Sequence, residues 1–134
     1  MIRRVLQIGR WYVEFYFANG TYDEELLLDR LYEFGAGSNT LRKAYGLMEK
    51  GEPNKAFTFA NPYDRVAIVF TMPTTSGAEF LDSFVHEMRH LANVIAQSIG
   101  IELDAEAPSY IAGDAARELA DVVCRLGCSR CNRQ

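Results

Sequence analysis

The sequence predicts an α+β fold: a small, mainly antiparallel sheet with helices packed on it, in the order β-α-α-β-β-α-α. Three observations carry that reading. Residues Trp11 to Phe17 alternate with period two. Two apolar runs near residues 56–72 are separated by turn chemistry. After Pro73, apolar residues recur at helical spacing almost to the end of the chain.

The first strand comes from the alternating run. Trp11, Val13, Phe15 and Phe17 point one way, and Tyr12, Glu14 and Tyr16 the other, so it is expected to bury one face. Asn19-Gly20 breaks it. Thr21 with Glu24 forms a capping box, so a helix is expected from there through Leu26, Leu27, Leu31 and Phe34 to Gly35. Ser38 or Asn39 caps a second helix that places Leu41, Ala44, Tyr45 and Met48 on one face and ends at Gly51 and Pro53. Ala56 to Ala60 and Arg65 to Met72 read as a hairpin across Asn61-Pro62-Tyr63-Asp64.

Pro73 closes that strand, and Ser76 with Glu79 makes a second capping box. A long helix comes next, with Phe80, Phe84, Met88, Leu91, Ile95 and Ile99 on its apolar stripe and Gly100 at its end. A short acidic loop, Ile101 to Asp104, leads into a last helix from about Ala105 to Leu126. Pro108 is tolerated in its first turn, where backbone donors lack partners.

With 134 residues the chain reads as a single domain, 1–134, with a cysteine-bearing tail at about 127–134. That length buries a core without disulfides. A net charge of −4 argues against a nucleic-acid footprint, which needs a basic face. No apolar run reaches the roughly 18 residues of a membrane span. Met1-Ile2-Arg3-Arg4 looks like the start of a leader, but Arg10 and Glu14 interrupt the apolar stretch that a leader needs, so the expected location is cytoplasmic. An odd number of cysteines, crowded at one end, agrees with that.

The chain has two histidines, His86 and His90, four apart on the long helix. Residues at i and i+4 lie one above the other on one face, so two imidazoles there aim at one point. Glu87 sits about 100° round the helix from His86, where a carboxylate reaches a water without ligating the metal. The run His86-Glu87-Met88-Arg89-His90 therefore carries the H-E-x-x-H logic: two neutral imidazole ligands for zinc and an adjacent general base. The plainer reading makes both histidines polar positions on an amphipathic helix.

A third ligand is needed. Glu102, Asp104, Glu106 and Asp114 lie downstream. Glu106 is preferred, in the first turn of a helix expected to return across the histidine helix, although acids there are also favoured by the helix dipole alone. Tyr110, four residues on, places a phenol where it can hydrogen-bond an oxyanion; otherwise it is an interface tyrosine.

His86-Glu87-Met88-Arg89-His90, Glu106 and Tyr110-Ile111-Ala112-Gly113 together resemble a zincin-type metallopeptidase of the gluzincin kind. More narrowly, the chain is similar to small HExxH proteins of bacteriophages and other mobile elements, in which the motif helix is succeeded by a short loop, an acid and a Tyr-aliphatic-x-Gly stretch. That likeness covers roughly the hairpin onward, about half the chain. The resemblance implies His86, His90 and Glu106 as zinc ligands and Glu87 as base, hydrolysing a peptide or protein substrate with a metal-activated water. It also implies a strand near the motif helix that aligns a peptide, for which Arg65 to Met72 is the natural candidate. The chain departs from larger zincins in lacking a second lobe to wall a cleft, and it has no third histidine in the metzincin position. The alternative is a non-catalytic zinc-binding module in phage or mobile-element assembly or protein interaction. Arg89 faces away from the expected metal.

Cys124, Cys128 and Cys131 have C-x3-C-x2-C spacing. Radical-SAM enzymes share it but carry it early in a large barrel, so that reading is rejected. A metal site between chains and tail redox chemistry remain as readings, beside a plain one with Cys124 in the core.

Overall fold

A computed structural model of the chain describes residues 1–100 and 106–128. Its first element, β1 (Ile2–Ile8), has no counterpart in the sequence reading. Arg4 falls on the face that Ile2, Leu6 and Ile8 present to the core, and so spoils the alternation that marks a strand. The Arg4 guanidinium escapes burial by donating to Asp121 at 2.8 Å.

Through the turn at Gly9-Arg10 the chain enters β2 (Trp11–Phe17), antiparallel to β1 with Ile2 opposite Phe17. One buried face was expected; both are buried. Trp11, Val13, Phe15 and Phe17 enter one core, and Tyr16 the other, with Glu14 also inaccessible.

Helix α1 (Glu24–Glu33) is capped by Asp23, not Thr21: its Oδ1 accepts the Leu26 backbone N–H at 3.0 Å. Aspartate is among the strongest N-caps, and Glu24 and Glu25 add negative charge at the positive helix end. Gly35 comes next at φ 95°, where a side chain would also run into Asn61 Nδ2 at 2.7 Å. Helix α2 (Ser38–Lys50) takes Gly37 as its cap, without a side-chain bond, so Ser38 is its first helical residue.

Strands β3 (Ala56–Asn61) and β4 (Val66–Thr71) form the expected hairpin. Asn61 Oδ1 accepts from the backbone of Tyr63 and Asp64, the bonding that makes asparagine a turn residue. The sheet order is β1-β2-β4-β3. Its outer pairings are antiparallel and the central pair, β2 with β4, is parallel.

Helix α3 (Gly77–Ser98) starts on the Ser76 hydroxyl, which accepts the Glu79 N–H at 3.1 Å. The single last helix expected from Ala105 to Leu126 is two: α4 (Ala107–Glu118) and α5 (Ala120–Gly127). Ala105 lies outside the described residues. The break falls at Leu119, whose side chain is fully buried; re-aiming the chain there lets Leu119 and Val122 reach one core.

The helices cover the sheet on both sides. Phe80, Phe84, Met88, Leu91 and Ile95 of α3, with Ala115, Leu119 and Val122, pack on the face of Val13, Phe15 and Val69. Leu27 and Leu31 of α1, with Ala44 and Met48 of α2, pack on the face of Tyr16, Ile68 and Phe70. Among the described residues no helix is long and apolar enough to cross a membrane.

Candidate metal centre

Met88, Leu91 and Ile95 hold one side of α3 on the sheet. His86 and His90 are then exposed on a flank that looks towards β3. Their Nε2 atoms approach to 3.0 Å, with ring centroids 4.6 Å apart and planes at 74°. Zinc–imidazole bonds are about 2.0–2.1 Å, so one ion reaching both atoms across that gap subtends roughly 95°. Without metal the same approach is a hydrogen bond between one protonated and one bare ring nitrogen.

Glu87 lies between the histidines and the core and is 5% exposed. Its carboxylate accepts a hydrogen bond from the Thr58 hydroxyl on β3. Burial of a carboxylate requires such a partner. Thr58 was missed in the sequence, although a polar residue between Phe57 and Phe59, at the inward position of an alternating strand, is a signal that the facing helix carries something polar.

The histidines and Glu87 line a groove of about 500 Å³ with Thr58 and Ala60 of β3 and Val94 and Gln97 of α3. β3 is an edge strand, and among the described residues its outer edge pairs with no other strand. The strand expected to align a peptide, Arg65 to Met72, cannot do so. It is β4, with β2 on one side and β3 on the other, so both of its hydrogen-bonding edges are used.

The acids divide differently. Helix α4 meets α3 along the flank of Phe84, Val85, Met88, Arg89 and Ala92, not across the histidine flank. Glu106 sits exposed at the N-cap of α4, and its carboxylate receives the Tyr110 hydroxyl at 3.4 Å. Tyr110 is 67% exposed and is not part of the histidine groove. Asp114 pairs with Arg117 at 3.2 Å. Glu102 and Asp104 lie outside the described residues. Among the described residues, no three His, Cys, Asp or Glu side chains come together in a way that holds a metal. The structure thus joins His86, His90 and Glu87, and leaves Glu106 and Tyr110 apart from them.

Among the described residues, the most strongly shifted carboxylate is elsewhere. Glu14, inaccessible on β2, accepts from Arg30 at 2.5 and 3.0 Å, Tyr16 at 2.6 Å, and Tyr12 and Arg3 at 2.9 Å each. Burial alone would raise its pKa, but hydrogen bonds from Arg30, Tyr16, Tyr12 and Arg3 outweigh that and hold it at about 2. Both tyrosines are raised: Tyr12 first by its hydrogen bond to this carboxylate, and Tyr16 first by its own burial and then by its hydrogen bond to the same carboxylate. With every lone pair engaged, this is a knot that ties β1, β2 and α1 together rather than a site.

Cys124 on α5 is exposed and disulfide-bonded, not a core thiol. Cys128 is a free cysteine, and Cys131 lies outside the described residues.

No protein-family model, curated protein or solved structure matches the chain.

Proposed function

We propose that the chain is a zinc-dependent hydrolase of peptide bonds, with His86 and His90 as two of the metal ligands and Glu87 as general base. The observation that carries the reading is the 3.0 Å convergence of the two Nε2 atoms on the wall of the groove that also holds the Glu87 carboxylate. Imidazoles suit zinc, and a catalytic zinc takes three protein ligands. Two are supplied by α3, and the third is an acid of the stretch beyond it, with Glu106 and Asp104 as the candidates.

Zinc held by His86 and His90 would supply a water acidic enough to attack near neutral pH. The chain's own residues do the rest. Thr58 orients the Glu87 carboxylate, which takes the proton of the attacking water and returns it to the leaving amine. An extended substrate laid along the free edge of β3 gains main-chain hydrogen bonds and passes the histidines. A cytoplasmic setting and a phage or mobile-element origin belong to the same proposal.

The second reading, a zinc-binding module without catalysis, is favoured by one observation: only two metal donors converge among the described residues. Glu87→Gln separates the two. Hydrolysis of a peptide library by the wild type, lost in Glu87→Gln with zinc retained, supports the enzyme. Zinc in both proteins with turnover in neither supports the module.

A further inference from the structure

The parallel strands β2 and β4 start at the same end of the sheet, with Tyr12 opposite Val66. The turns just before them therefore lie side by side, and the Tyr12 N–H donates to the Arg65 carbonyl at 2.9 Å. The last turns of α3 come down on this end, where Trp11 Nε1 donates to Ser98 Oγ at 3.1 Å. Between them is a cavity of about 360 Å³ lined by Ile8, Trp11, Ile95, Ile99 and Ile111. Its volume lies within the range of about 300–1,000 Å³ typical of small-molecule sites.

Three observations define the occupant. The floor is aliphatic and aromatic, and Ile99 leaves 59% of its surface uncovered beside it. Gly9, Arg10 and Arg65 complete the lining; both arginines are exposed, and neither makes an ion pair or side-chain hydrogen bond among the described residues. Arg65 is also held at φ 55°, a left-handed conformation that non-glycine residues adopt mainly in turns and at strained functional positions. An apolar floor bordered by two arginines that pair with no acid among the described residues is complementary to a molecule with an apolar tail and one anionic end.

We propose that this cavity binds a free aliphatic carboxylate, with its tail on the isoleucines and Trp11 and its carboxylate between Arg10 and Arg65. The site is independent of the histidine groove. Trp11 is the chain's one tryptophan, so its fluorescence reports binding at this place. The experiment titrates the full chain with hexanoate, octanoate, octanol and octylamine. Octanoate is expected to bind about fourfold tighter per added methylene than hexanoate. Octanol is expected to bind at least tenfold more weakly than octanoate, and octylamine not at all. In the double variant Arg10→Gln, Arg65→Gln, octanoate affinity falls about ten- to hundredfold while octanol affinity is unchanged. Ile99→Ser, at an exposed position, weakens both.

Equal binding of octylamine and octanoate overturns the proposal. So does acetate binding as tightly as octanoate, which reduces the place to a surface anion contact. A double variant that loses thermal stability but keeps octanoate affinity makes the arginines mere partners of the α3 C-terminus. A peptide ending in leucine that binds more tightly than octanoate assigns the cavity to a protein partner instead.

Discussion

Thr58 on β3 donates its hydroxyl to the Glu87 carboxylate on α3, and this bond fixes the edge strand to the middle of the motif helix. Glu87 is buried, and among the described residues Thr58 is its one side-chain partner. Thr58→Val keeps the shape and removes the donor. It is expected to leave zinc content unchanged, to cost about 1–3 kcal/mol of stability, and to lower kcat/KM, with Thr58→Ser restoring both. Glu87→Gln is expected to lower kcat by about 10²–10⁴-fold. Full activity in Thr58→Val would show that the bond does not orient the base.

The Glu14 knot makes stability depend on acid. Its folded pKa of about 2 lies below the ordinary value of 4.5. Its contribution is therefore fully present above about pH 4.5 and is lost as pH falls towards 2. A difference of that size corresponds to about 3 kcal/mol. Urea melts between pH 6 and 2 should show that loss in the wild type and a flatter profile in Glu14→Gln. Arg30→Gln should cost more than Arg3→Gln, because the Arg3 side chain is 49% exposed and that of Arg30 only 27%. Matching acid profiles in wild type and Glu14→Gln would show that Glu14 does not carry the acid dependence.

Two glycines in helices should respond to alanine with opposite signs. At Gly77 a Cβ meets the Gly127 carbonyl oxygen at 2.5 Å and its carbon at 2.8 Å, so α5 must move off the start of α3. At Gly46, inside α2, a Cβ meets nothing within 4 Å. Gly46→Ala is expected to stabilise by about 0.5–1 kcal/mol, and Gly77→Ala to destabilise by about 1–3 kcal/mol. Thermal melts decide; a rise in Tm for both would mean that α5 does not dock on Gly77.

The start of α1 gives a fourth comparison. Asp23→Ala removes the bond to the Leu26 N–H and should cost about 1 kcal/mol, whereas Thr21→Ala should be close to neutral. The reverse order in urea midpoints would return the cap to Thr21.

Much of the fold is legible in the sequence because local signals and tertiary packing agree. Ser76 caps α3, Asn61 makes the hairpin turn, and the stripe of Phe80, Phe84, Met88, Leu91 and Ile95 faces the core. What escapes depends on partners distant in the chain. β1 is hidden because Arg4 finds Asp121, 117 residues later. The burial of Glu14 requires Arg30 and Arg3, which no local pattern announces. The kink at Leu119 reflects the demand of the core on a helix whose own sequence runs on. At the site, the i, i+4 spacing determines that His86 and His90 share a flank, and the structure places them so. Which flank α4 covers is a packing outcome, and this is why Glu106 and Tyr110 stand apart from the pair.

The proposed metal site is the histidine pair. It is tested most directly by metal mass spectrometry on three proteins: the wild type, His90→Ala, and a variant with Cys124, Cys128 and Cys131 changed to serine. About one zinc per chain is expected in the wild type and the serine variant, and none in His90→Ala. Zinc retained in His90→Ala and lost in the serine variant would contradict it and move the metal to the cysteines.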